Sequence, residues 1–201
     1  MQKIFNSTRT LDQCAIKNFN LSEDILMENA ATELLNNIYL QLNLKCIKKN
    51  IIIDKPLILI LCGSGDNGGD GYALARKFFK NETVVIFSVL EAKSKMCILQ
   101  KGRARKSGIK IIEQKEFSKY VKKADVIVDC IFGSGFHGTL PDEIKNIIKF
   151  ANKTTAIKVA CDIPSGMFFN ADVTVTMGAL KTALFTDEAK EHTGLIVTGN
   201  L

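Results

Sequence analysis

No stretch of this 201-residue chain is long and apolar enough to span a membrane, and its first residues lack the apolar centre of a secretion signal. The six cysteines (Cys14, Cys46, Cys62, Cys97, Cys130, Cys161) contain no Cys-x-x-Cys pair, and the two histidines, His137 and His192, flank none of them, which argues against zinc. Cys62, Cys130 and Cys161 each end an apolar run, as small buried thiols do in a reducing compartment. The net charge of +6 is a weak sign of a nucleic-acid partner, because its densest stretch, Lys101 to Lys106, has no interleaved aromatics on which bases would stack and reads as a solvated helix end. These absences leave a soluble cytoplasmic protein with neither a nucleic-acid nor a membrane partner. The apolar content of 46% suffices for one substantial core.

The richest segment is Cys62-Gly63-Ser64-Gly65-Asp66-Asn67-Gly68-Gly69-Asp70-Gly71. Before it, Leu57 to Leu61 is a continuous apolar run, the pattern of a strand buried on both faces of a parallel sheet. After it, Leu74, Ala75, Phe78 and Phe79 fall at helical spacing. Strand, glycine turn and helix together form an anion cradle, in which a side chain at Gly69 would block backbone approach to a phosphate. A P-loop is excluded because Asp70 follows Gly69 and no lysine occurs before Lys77. Gly63-x-Gly65-x-x-Gly68 matches the dinucleotide fingerprint by letter only, and such turns also serve tight packing. Asp66, Asn67 and Asp70 add oxygen-bearing side chains that packing alone does not require.

Apolar runs at 57–62, 83–88, 109–112, 125–130, 156–161, 173–176 and 195–198 predict strands, and helical spacing falls at 68–79, 93–106, 116–122 and 141–151. The alternation predicts a three-layer, Rossmann-like, doubly wound α/β domain with a mostly parallel sheet. An N-terminal extension of two helices precedes it, one opened by a capping box at Thr10-Leu11-Asp12-Gln13 and one capped by Ser22. The second carries Ile25, Leu26, Ala30, Leu34, Leu35 and Ile38 at core spacing, and Lys45 to Lys55 reads as a charged connection into the sheet. Ligands of such sheets bind at the carboxyl ends of the strands, where Asn67, Asp129, Asp162 and Ser165 collect. Each alone is explained as a cap or turn residue; their convergence points to a site.

Leu26-Met27-Glu28-Asn29-Ala30-Ala31, the glycine segment, Asp129-Cys130-Ile131-Phe132-Gly133-Ser134-Gly135, Asp162-Ile163-Pro164-Ser165-Gly166 and Ala171 to Lys181 occur in an order that resembles the NAD(P)H-hydrate (NAD(P)HX) epimerase family, the YjeF N-terminal domain. The resemblance spans almost the whole chain. It implies interconversion of the R and S forms of hydrated NADH and NADPH, damaged cofactors whose S form a partner dehydratase repairs. It also implies a homodimer, and a single domain over residues 1–201 that stands alone or forms the N-terminal part of a longer bifunctional protein. Carried over by position, Asp66, Asn67, Gly68, Gly69 and Asp70, the loop Gly133, Ser134, Gly135, Phe136, His137, Gly138 and Thr139, and Asp162 would bind the hydrate. Asn67, Asp129 and Ser165 would hold a potassium ion, and Asp162 is the candidate proton carrier, with His137 a weaker one.

Asp66 stands where the family usually has asparagine, the connector Met167-Phe168-Phe169-Asn170 is short, and Leu180 replaces a usual proline beside Lys181. Lys181 reads either as a phosphate contact or as an exposed lysine at the sheet edge. The alternative function is a catalytically inactive ligand-binding or dimerisation module. A nicotinamide oxidoreductase fits less well, because no Tyr-x-x-x-Lys pattern of a hydride site is present.

Overall fold

The computed structural model describes residues 3–78 and 82–201. Among the described residues, a short strand β1 (Ile4–Phe5) and helix α1 (Arg9–Phe19) come first, followed by the long helix α2 (Glu23–Lys49). The main alternation is β2 (Leu57–Cys62), α3 (Asp66–Ala75), β3 (Thr83–Ser88), α4 (Lys95–Lys106), β4 (Lys110–Ile112), α5 (Gln114–Val121), β5 (Val126–Cys130), α6 (Asp142–Asn152) and β6 (Ile157–Cys161). It ends with β7 (Val173–Met177), β8 (Leu180–Lys181) and β9 (Leu195–Gly199).

Seven of these strands form one sheet in the order β4-β3-β2-β5-β6-β7-β9, every neighbouring pair parallel. Alternate residues of the apolar runs bury on opposite faces. Ile58, Ile60 and Cys62 pack with Val126, Val128 and Cys130 under α2, α3 and α4. Leu59, Leu61 and Ile127 pack toward Phe117 of α5 and Ile144, Ile147 and Ile148 of α6. The result is the expected three-layer, doubly wound α/β arrangement. β2 lies between β3 and β5, so the strand order reverses there and opens a crevice between the loops that follow β2 and β5.

The predicted strands are observed with their ends shifted by at most one residue. Helical boundaries differ more: α4 starts two residues later and α5 two residues earlier than predicted, and the larger differences lie in α1, α2 and α3. Thr10 is the second residue of α1 and caps nothing; Thr8 occupies the N-cap, without a side-chain bond, so the capping-box expectation was wrong. Ser22 does cap α2, its hydroxyl accepting from the Ile25 N–H at 3.3 Å. That helix continues to Lys49, into the first part of the stretch expected as a connection, and Ile25 is exposed while Leu26, Ala30, Leu34 and Ile38 are buried. α3 begins at Asp66, two residues earlier than predicted, because burial of Gly68, Gly69 and Gly71 against neighbouring elements overrides their weak helix propensity. It ends at Ala75, so Phe78 follows the helix, and Phe79 lies outside the described residues. The parallel pair β1–β8 had no counterpart in the sequence reading.

Candidate functional site at the carboxyl ends of β2, β5 and β6

The turn from β2 into α3 is built by close backbone approach. A Cβ on Gly63 would stand 1.8 Å from the Ile131 carbonyl oxygen, and one on Gly68 would stand 2.2 Å from that of Gly63. Gly69 faces inward, where a Cβ would meet Met27 Cε at 2.7 Å and Sδ at 2.9 Å, so its glycine serves the packing of α3 on α2 rather than phosphate approach. Gly65, the N-cap of α3, has open space around it and borders the crevice. Asp66 and Asn67 occupy the first turn of α3, where N–H groups lack helical partners.

Asp129, at the end of β5, is fully buried. Its Oδ1 accepts from the Ile131 N–H (3.1 Å) and the Ser165 hydroxyl (2.7 Å), and its Oδ2 accepts from the Ser165 N–H (2.8 Å). The Phe132 N–H donates to Ser165 Oγ at 2.9 Å, locking the loops after β5 and β6 together. Burial pushes the Asp129 carboxyl up to about 6, against the lowering effect of these hydrogen bonds. Gly133 fits between Asn67 and Asp162, its would-be Cβ 3.1 Å from Asn67 Oδ1 and 3.0 Å from Asp162 Oδ2. The Asn67 Nδ2 atom is buried with no partner among the described residues.

Asp162 follows β6 with φ of 68°, a left-handed conformation in which a non-glycine residue is strained. The Ser134 N–H donates to its Oδ2 (3.0 Å) and the Met177 N–H to its Oδ1 (3.4 Å). Lys181 Nζ pairs with Oδ1 at 2.6 Å and donates to Thr176 Oγ1 (3.0 Å) and the Met177 carbonyl (2.8 Å). Lys181 is therefore neither exposed nor free for a phosphate: it is fully buried and holds Asp162 in place. The spacing around Lys181 does not show this, because its ion-pair partner, Asp162, follows a different strand.

A cleft of about 640 Å³ runs over this region, reached by Asp66, Asn67, Asp70, Gly133, Ser134, Gly135, Phe136 and Asp162. Gly68 and Gly69 lie buried beneath it, while His137, Gly138 and Thr139 are exposed and do not line it. Asp129 and Ser165 sit below the lining, both fully buried. The cleft also takes Thr8, the N-cap of α1, and Arg9 and Asp12 from that helix, which sequence reasoning misses; the local pattern there, Thr10 to Gln13, reads as a capping box. Asp70 lies against Cys161, whose thiol approaches its Oδ2 at 3.8 Å. Burial first, then the charges of Asp162 and Asp66, raise the Asp70 carboxyl well above its ordinary range. Burial also raises Asp12, opposed by Lys181. Among the described residues no cluster of three or more His, Cys, Asp or Glu side chains is arranged to hold a metal ion.

Residues 23–183 match the family model described as YjeF-related protein N-terminus. The chain belongs to that family. It is 40% identical over its whole length to the bifunctional NAD(P)H-hydrate repair enzyme Nnr of Helicobacter pylori, of which it spans 43%. It is 31% identical, over 96% of its length, to the NAD(P)H-hydrate epimerase of Elusimicrobium minutum, of which it spans 91%. Its fold matches the crystal structure of the yeast protein ynu0 with a TM-score of 0.77 at 19% identity, covering 98% of this chain and 87% of that one. All the site residues just described except Thr8, Arg9 and Asp12 fall within the stretch matched by the YjeF-related family model.

Proposed function

We propose that this chain epimerises the R and S forms of hydrated NADH and NADPH. The carrying observation is Asp162: a left-handed backbone position whose carboxylate lines the switch-point cleft, fixed by a buried lysine and a backbone N–H. Relatives named for this activity include one that this chain spans almost completely. Epimerisation needs the hydroxyl at the hydrated carbon to leave, or the ring to open, and then to return from the other face. Either route needs a positioned group to move a proton, the role assigned here to Asp162. Lys181 fixes the orientation of that carboxylate, and the Ser134 N–H occupies one lone pair of Oδ2 while leaving the other free.

A potassium ion fits the oxygen donors Asn67, Asp129 and Ser165. Asn67 ends in a buried amide atom without a partner, and turning the amide exchanges nitrogen for oxygen at that place. Asp129 Oδ2 and Ser165 Oγ each keep an acceptor site beyond the bonds described. When bound, the ion supplies positive charge beside an anionic ligand and ties the three loops. Exchange of potassium for a bulky organic cation then lowers the thermal midpoint, which calorimetry reads.

The domain works in the cytoplasm as a homodimer, alongside a dehydratase that consumes the S form, on the same or a separate chain. An inactive module is disfavoured by the intact Asp162 clamp. The short connector Met167 to Asn170 is well tied, with Phe169 fully buried and Asn152 bonded to both Phe168 and Asn170, so its length does not favour that module. The test is direct: purified R hydrate is incubated with the protein and its conversion to S is followed by chromatography. Acceleration over the spontaneous rate supports the reading, and its absence at high protein concentration rejects it.

A further inference from the structure

The cleft carries an unbalanced charge. Asp12, Glu23, Asp66 and Asp70 border it beyond Asp162, whose charge Lys181 balances, and among the described residues Arg9 is the only lysine or arginine that lines it. Lys181, nearby, is buried below and committed to Asp162. A dinucleotide brings a diphosphate with two negative charges, which a wall of carboxylates repels unless a cation meets it.

Arg9 is placed for that. It stands in the first turn of α1, exposed, with no ion pair among the described residues. Its guanidinium reaches over the loop after β5, where a Cβ on Gly135 would lie 2.9 Å from Nη2. Gly135 is two residues from Gly133, where an added Cβ would meet both Asn67 and Asp162. The guanidinium thus sits at the cleft mouth, beside the loop that leads down to the proposed proton carrier. α1 buries none of its own residues, so core packing does not account for its position over the cleft. It also precedes residue 23, where the match to the family model begins.

We propose that Arg9 is the phosphate-binding cation of this site, and that α1 is therefore part of the ligand site. This rests on the epimerase reading. A planar fork of donors suits a diphosphate, and at a partly solvated position its loss weakens binding roughly tenfold.

The experiment is calorimetric titration of the full chain with ADP-ribose, which carries the diphosphate, and with adenosine, which does not, alongside epimer exchange of the hydrate. Wild type, Arg9→Ala, Arg9→Lys and Lys17→Ala are compared; Lys17 lies on the same helix and does not line the cleft. Arg9→Ala is expected to bind ADP-ribose roughly tenfold more weakly, with a raised KM for the hydrate and a nearly unchanged kcat. Arg9→Lys recovers part of the loss, while adenosine affinity and Lys17→Ala stay at the wild-type level. Equal ADP-ribose affinity in Arg9→Ala and wild type, with exchange intact, overturns the role of Arg9 alone. A wild-type protein that neither binds ADP-ribose nor exchanges epimers overturns the functional reading and this inference together.

Discussion

Gly65 and Gly69 stand four residues apart on one turn, yet they face different surroundings. Gly69 points at Met27 and the backbone of Cys97, so Gly69→Val overpacks the α2–α3 contact and lowers stability by about 1–3 kcal/mol. Gly65 points into open space at the cleft, and asparagine is a good N-cap. Gly65→Asn is expected to keep the urea midpoint while weakening NADP-type ligands; urea melts and titration check the pair, and the reverse pattern contradicts it. Asp70 gives a pH signature. Its folded carboxyl binds a proton more tightly than the unfolded one, so its contribution is fully present below about pH 4. That contribution is lost as pH rises through the raised value. Asp70→Asn is therefore expected to gain thermal stability over wild type as pH increases from 4 to 8, a trend that melts across this range read directly. Asp129, Asp162 and Ser165 were legible because each follows an apolar run at the end of a strand. Arg9 and Asp12 at the cleft, and the pairing of Lys181 with Asp162, were not, since contacts between separate segments decide them.

At the scale of elements, the strands were readable because an unbroken apolar run has one economical place in a sheet covered on both faces. Helix boundaries were less so. Glycines hid the start of α3, and lysines near the end of α2 resembled a linker, although cations suit the last turn of a helix. β1 and β8 have two residues each, too few for any periodicity to register. Capping separates right from wrong readings at the bench. Ser22→Ala removes the hydroxyl that accepts the Ile25 N–H and is expected to cost about 1 kcal/mol. Thr10→Ala, at an exposed position inside α1, is expected to stay within about 0.5 kcal/mol of wild type. Equal losses in denaturant melts would show that Thr10 caps after all.

Across the whole molecule, the reversal of strand order at β2 and β5 creates the cleft, and the loops after β2, β5 and β6 meet there. Parallel alternation predicted this place, because carboxyl ends of parallel strands share one edge of the sheet. What folds over that edge from the N-terminus was invisible to the same reasoning. No helix among the described residues is long and apolar enough to cross a membrane. The central claim is that the Asp162 carboxylate moves the proton in this cleft. The measurement is the rate of R-to-S exchange of purified hydrate by Asp162→Asn against wild type, at saturating ligand. Asparagine keeps the shape of the side chain and cannot take the proton, so the rate is expected to fall by roughly two to four orders of magnitude. An Asp162→Asn protein that exchanges epimers at the wild-type rate contradicts the account.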